Sequence, residues 1–173
     1  VCGREAILEL LDFEKAADKG FEKIGHQGTY NANPVSAAAG LAALEIIAND
    51  DMCGRANAYG TALRSELNQV LTEEDVPWAV YGEYSTFHVF TNPKGRSDVS
   101  PESFNPLDLD YSELKSNAPG SVQKMRLAMI LNGVDLMGWP GGNICAVHTD
   151  EDRAKTVDAF RESIRMMKAE GDI

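Results

Sequence analysis

Cysteine is sparse in this chain. Cys2, Cys53 and Cys145 are odd in number, widely separated and form no C-x-x-C pair. A disulfide framework and a structural zinc site are therefore excluded, and a reducing compartment such as the cytoplasm is expected. Long apolar runs are missing too. The most apolar stretch, Val35 to Ala48, falls short of the roughly 20 residues that span a bilayer, and its Ala and Gly residues dilute it further. Val1-Cys2-Gly3-Arg4-Glu5 lacks the basic start and apolar core of a signal peptide. Positive charge is scarce. Sixteen Lys+Arg against 27 Asp+Glu leave a formal net charge of −11, and Lys94-Gly95-Arg96 reads as a solvated pair of cations. Nucleic acid is excluded as a partner, because phosphate contacts dominate such affinities. Three histidines stand without a G-x-S-x-G elbow or a nucleophile–base pair that the sequence alone defends, so a hydrolase has no support.

What is present fits a soluble globular chain of 173 residues, long enough to bury its own core. Its most informative run is His26-Gln27-Gly28-Thr29-Tyr30-Asn31-Ala32-Asn33-Pro34, which leads into Val35–Ala48. Asn33 suits an N-cap and Pro34 the first helical position, where a missing N–H costs nothing. A helix apolar on all sides is expected to be buried. A polar loop with free N–H groups and a hydroxyl, at the positive end of such a helix, is a sound anion site. The same residues equally describe an ordinary capped loop, and on physics alone both readings stand.

Along the rest of the chain the hydrophobic period sets the elements. Val1 to Arg4 reads as a strand end and turn, and Glu5 to Leu11 as a short helix. Asp12 to Gly25 reads as a loop with helical turns, with Lys15, Lys19 and Lys23 on one solvated face. Met52, Ala56, Tyr59, Leu63, Leu67 and Val70 recur at spacings of three and four, predicting an amphipathic helix with Arg55, Arg64, Glu66 and Gln69 on its outer face. From Trp78 to Thr91 aromatic and β-branched residues predict two short strands broken near Gly82, with His88 structural. The stretch from Asn92 to Pro119 holds four prolines and reads as a lid, binding loop or flexible segment. Further expectations are a helix from Ser121 to Leu136 ended by Gly133, a turn at Gly138–Gly142 and a strand at Asn143–Val147. A last helix is capped by Thr149 with Asp152 and buries Val157, Phe160, Ile164 and Met167. Helices, strands, helix, strand and helix in that order predict a small antiparallel or mixed sheet with helices packed on one side. The fold class is thus α/β, with an α+β small lobe.

Gly28-Thr29-Tyr30-Asn31-Ala32-Asn33-Pro34 and the small-residue helix after it resemble the G-T-x-x-x-N-P segment of class III aminotransferases. Those are pyridoxal 5'-phosphate (PLP) enzymes of fold type I, with glutamate-1-semialdehyde aminomutase a close relative. Val1-Cys2-Gly3-Arg4-Glu5-Ala6-Ile7 resembles the segment that follows the active-site lysine in that family. Gly133-Val134-Asp135-Leu136 and Ala146-Val147-His148-Thr149-Asp150-Glu151-Asp152 resemble the G-V-x-L…A-H-T-x-E-D-I of the aminomutase-like branch, with Arg153 where that branch usually has Ile. The resemblance implies that Thr29, with the Gly28 backbone beside it, reaches the cofactor phosphate of the partner subunit in a homodimer. It also implies a C-terminal part of a longer enzyme. Residues 1–50 would end the large PLP-binding domain and carry the dimer-interface loop, 51–76 would form an inter-domain helix, and 77–173 the small domain. The lysine that holds PLP would lie upstream, since none of the eight lysines here has the expected Gly-rich setting. Trp139-Pro140-Gly141-Gly142 replaces the aminomutase's F-E-A and would border the substrate. A transaminase of amino acids, β-amino acids included, fits as well as an aminomutase. Against this enzyme part stands a free-standing structural or interaction domain retained without catalysis.

Overall fold

The structure, a computed structural model, describes residues 3–25, 28–31, 33–116 and 119–173. Expectations for Val1 and Cys2, and for His26, Gln27 and Ala32, lie outside the described residues. The chain divides into two compact units, Val1–Ile46 and Ile47–Ile173.

In the first unit, helix α1 (Glu5–Leu8) runs into a 3-10 turn at Glu9–Leu11. Helix α2 (Phe13–Lys19) follows because the Asp12 carboxylate accepts the Glu14 and Lys15 N–H groups. Gly20, at φ 69°, closes it in the left-handed region. Lys19 pairs with Glu9. Lys23 lies past the helix end, so the expected lysine face reduces to Lys15 and Lys19. Helix α3 (Pro34–Asn49) starts where expected, and Asn33 Oδ1 accepts from the Val35 and Ser36 N–H groups at 2.9 and 3.2 Å. The expectation that this helix is buried is not met. No residue of α3 is buried, and Val35, Leu41, Leu44, Ile46 and Ile47 are all exposed. Apolar composition makes burial favourable, but burial also needs a facing surface.

The second unit is built on helix α4 (Met52–Glu73), which buries Ala56, Leu63, Leu67, Val70 and Leu71. Strands β1 (Ala79–Tyr81) and β2 (Thr86–Phe90) form the hairpin the sequence predicts, and β3 (Gly141–Asn143) completes a three-stranded antiparallel sheet in the order β1-β2-β3. Pairing of Val80 with Val89 and of Phe87 with Gly142 turns those side chains to one face. There they join Leu67 and Leu71, Met125 and Met129 of α6 (Pro119–Leu131), and Phe160, Ile164 and Met167 of α7 (Asp150–Ala169) in the core. Tyr81, His88 and Phe90 take the opposite face. Phe104 covers it, stacked 5.1 Å from Phe90 and tilted against Tyr81 at 5.6 Å. Thus the long Pro-bearing loop forms a cover, and it carries the short helix α5 (Tyr111–Lys115).

Two hydrogen-bond devices fix the sheet and its last helix. β1 is an edge strand, and Asn68 takes the place of a fourth strand: its Nδ2 donates to Val80 O at 2.8 Å and its Oδ1 accepts Val80 N–H at 2.7 Å. Thr149 and Asp152 form the expected reciprocal capping box of α7. The third strand lies earlier than expected, at 141–143 rather than 143–147, and α6 ends at Leu131 rather than Leu136. Glycine explains the shift of the strand. A Cβ on Gly141 would lie 2.2 Å from Phe87 O, and one on Gly142 would lie 2.9 Å from Phe87 Cε1. The two glycines alone let this backbone lie against β2.

Candidate functional site

The first unit carries the segment from Gly28 to Asn33 that the sequence marks as a candidate anion site. Asn31 N–H donates to Gly28 O and Asn33 N–H to Tyr30 O, both at 3.1 Å, so the segment is a pair of tight turns. A Cβ on Gly28 would sit 2.7 Å from Asn31 Oδ1, so a larger residue there would have to turn the Asn31 side chain aside. Thr29 is exposed, and its hydroxyl and the Thr29 and Tyr30 N–H groups have no acceptor among the described residues. These are the donors an anion would meet. The first N–H groups of α3 are not among them, because Asn33 already holds those of Val35 and Ser36. The phosphate end of PLP therefore fits the loop through Thr29 and the adjoining backbone.

A group to hold the cofactor's carbonyl is a separate matter. A nucleophilic lysine needs desolvation or a cationic neighbour to lose its proton near neutral pH. All eight lysines are exposed. Lys19, Lys94, Lys124 and Lys168 face carboxylates, and hydrogen bonds to Glu9 and Asp172 push the Lys19 and Lys124 ammonium groups up instead of down. None of these settings suits the amine chemistry.

In the second unit the Trp139–Gly142 turn precedes β3. Pro140 is buried and its carbonyl accepts the Val89 N–H at 2.8 Å, while Trp139 is partly exposed. A cavity of about 220 Å³ opens beside this strand, lined by Tyr59, Phe87, Met137, Gly142, Asn143 and His148 among others. At its rim the Tyr59 ring lies 5.5 Å from His148 and carries the Arg153 guanidinium at 5.6 Å. Burial, then the Asp152 charge, push the Tyr59 hydroxyl up.

Sequence reasoning missed one pair here. Cys145 N–H donates to His148 Nδ1 at 3.1 Å, and Cys145 Sγ lies 3.5 Å from the same nitrogen. Nδ1 is thus the acceptor and Nε2 carries the proton. The spacing of three before a capped helix was the available signal. His88, read as structural, is partly buried against Tyr81 at 5.5 Å, and its Nδ1 is buried without a hydrogen-bond partner among the described residues. Burial pushes its pKa down. Arg64, assigned to the outer face of α4, instead turns to the hairpin and donates to Tyr84 O and Thr86 O at 2.9 and 2.7 Å.

The sequence profile described as aminotransferase class-III matches residues 9–94. Glutamate-1-semialdehyde 2,1-aminomutase of Methanococcoides burtonii is 33% identical over 166 residues, which is 94% of this chain and 34% of that protein. The chain belongs to the class III aminotransferase family. The corresponding aminomutase of Methanosarcina acetivorans is 27% identical over 94% of this class III chain and 34% of its own length. The 3-aminobutyryl-CoA aminotransferase of Cloacimonas acidaminovorans is 26% identical over 94% and 35%. Among solved structures, a transaminase with PLP bound superposes with a TM-score of 0.69 at 25% identity, covering 99% of this chain and 35% of that one. An omega-transaminase from Sphaerobacter thermophilus gives 0.66 at 26% identity, covering 94% and 34%. The class III chain thus spans about a third of the length of the relatives it matches. Its α/β architecture, a small antiparallel sheet backed by helices, is that of a part of the PLP transaminase fold.

Proposed function

We propose that this chain is the C-terminal part of a PLP-dependent amino-group transferase, an aminotransferase or a 2,1-aminomutase, and that it performs no transfer alone. One observation carries the reading: transaminase relatives cover almost all of the chain, while every lysine within it is exposed to water. In the whole protein, a homodimer, the Thr29 hydroxyl donates to the cofactor phosphate of the partner subunit, and Gly28 lets the turn close beneath it. PLP, when bound, supplies an electron-withdrawing ring that stabilises charge next to the amino group. The chain's own contributions are to hold the phosphate and, at Trp139–Gly142, to border the substrate. Where the aminomutase branch has F-E-A, this turn has Trp139-Pro140-Gly141-Gly142, a departure that fits a transaminase of amino acids, β-amino acids included, at least as well as one acting on glutamate-1-semialdehyde. Residues 1–50, 51–76 and 77–173 act as the end of the large domain, the connecting helix and the small domain.

The test is to add PLP to the purified chain, reduce with borohydride and locate any fixed lysine by mass spectrometry. The expected result is no stoichiometric adduct. A single modified lysine at one equivalent would overturn the reading. The free-standing domain is distinguished by the gene: an upstream frame encoding a lysine in a Gly-rich turn supports the enzyme part, and its lack supports the domain.

A further inference from the structure

A second cavity, of about 590 Å³, lies under the long loop on the sheet face turned away from the core. Its floor is Tyr81 and His88, its roof Phe104 and Leu107, and Arg64 stands at its wall. The volume falls in the range of small-molecule sites, which pair apolar walls with a few convergent polar groups.

Arg64 is the decisive group. Five of the eight arginines (Arg96, Arg126, Arg153, Arg161 and Arg165) face carboxylates, as expected in so acidic a chain. Arg4 and Arg55 project from helix ends and loops into solvent or onto a thioether. Arg64 is partly buried and has no ion pair among the described residues. Nη1 donates to two carbonyls, Nη2 donates to Thr61 Oγ1 at 3.2 Å, and Nε has no acceptor. Neutral carbonyls satisfy the guanidinium's hydrogen bonds without cancelling its charge. The exposed Glu83 carboxylate acts on Arg64 through space but makes no ion pair with it; a partly desolvated cation beside a cavity is further stabilised by an anion in direct contact, and a carboxylate matches guanidinium geometry.

The remaining lining decides the kind of anion. Among the described residues Glu83 is the only acid lining this cavity, and it is exposed. Its charge opposes a second negative charge on the ligand, so a dianion such as phosphate is disfavoured. His88 stands as the neutral base, since burial holds its pKa down. Tyr81, His88 and Phe104 present ring faces and edges that favour a flat apolar body. We propose that this cavity binds a monocarboxylate carrying an aromatic ring, with the carboxylate on Arg64 and the ring packed against the exposed edges of Tyr81, His88 and Phe104. Nothing in the proposal depends on the cofactor loop, and it is tested without PLP.

The experiment is a titration of the whole chain with phenylacetate, followed by amide chemical shifts, with phenylacetamide and inorganic phosphate as controls. Saturable shifts at Gly82, Glu83 and Phe104 are expected with phenylacetate. The neutral amide should bind at least about tenfold more weakly, the loss of one charge-assisted contact, and phosphate should give no saturable shift there. Phe104→Ala, which lies outside the core, should weaken phenylacetate, and Glu83→Gln should leave it equal or tighter. Because Arg64 also ties down the hairpin, Arg64→Lys is read only with its thermal midpoint measured alongside. Equal binding of acid and amide, shifts confined to other residues, or an unchanged affinity in Phe104→Ala would each overturn the proposal.

Discussion

At the scale of single residues, several side chains do work that a contact list undervalues. Asn68 satisfies both polar groups of Val80 on the free edge of β1. Asn68→Ala strands a partly buried N–H and C=O together, and a loss of about 2–3 kcal/mol is expected in urea denaturation. Thr149→Ala removes one half of the α7 capping box and is expected to cost about 1 kcal/mol by the same measurement. His88 brings a pH dependence with a definite sign. Burial lowers its pKa in the folded chain, so on acidification the unfolded chain takes up the proton first. Stability is then full above the ordinary histidine range and falls as the pH drops through it towards the lower folded value. A thermal midpoint that declines on going from neutral to mildly acidic pH, with a shallower decline in His88→Gln, is the expected outcome. If Thr29 holds the phosphate as proposed, Thr29→Val in the full-length protein should loosen PLP by about tenfold, the worth of one hydrogen bond to a charged group, read by equilibrium dialysis.

At the scale of elements, glycine placement decides the sheet. Gly141→Ala pushes a Cβ into Phe87 O, and β3 must leave β2 to relieve it. Faster amide exchange at Val89 and Ile144, both bonded across this junction, is the expected signature. The strands and helices that carry their own local signals were readable from sequence. The period of α4, the β-branched run of the hairpin and the Thr149–Asp152 box all appear where the residues put them. Features set by a neighbour were not readable. Gly141 and Gly142 look like turn residues in sequence, and they act as strand only because β2 passes close by. Arg64 sits at a position of the helical wheel that reads as outer, yet the hairpin turn comes within reach of its long side chain. The loop from Asn92 gave only proline and polarity as signals, while its order comes from Phe104 on the sheet and from buried Glu113, which Lys94 and Arg96 pair at 2.9 and 3.5 Å.

At the scale of the whole molecule, every member of the hydrophobic core lies beyond the first unit. A chain shortened to begin at Asp51, where the N-cap of α4 sits, should therefore keep a cooperative thermal transition near that of the full chain. A midpoint lowered by more than about 10 °C, several times the shift expected per kcal/mol for a domain of this size, would place stabilising contacts in the removed part.

The exposed helix α3 has a further consequence for the chain in a cell. Sixteen residues rich in Ala, Leu and Ile, with none buried, resemble what quality-control machinery meets on a nascent or damaged protein. Chaperones and proteases recognise such a surface by its stickiness and not by its sequence. Produced without whatever sheathes that helix, the polypeptide would be short-lived or drawn into aggregates, however sound its second unit. Its abundance would then follow the supply of the covering surface.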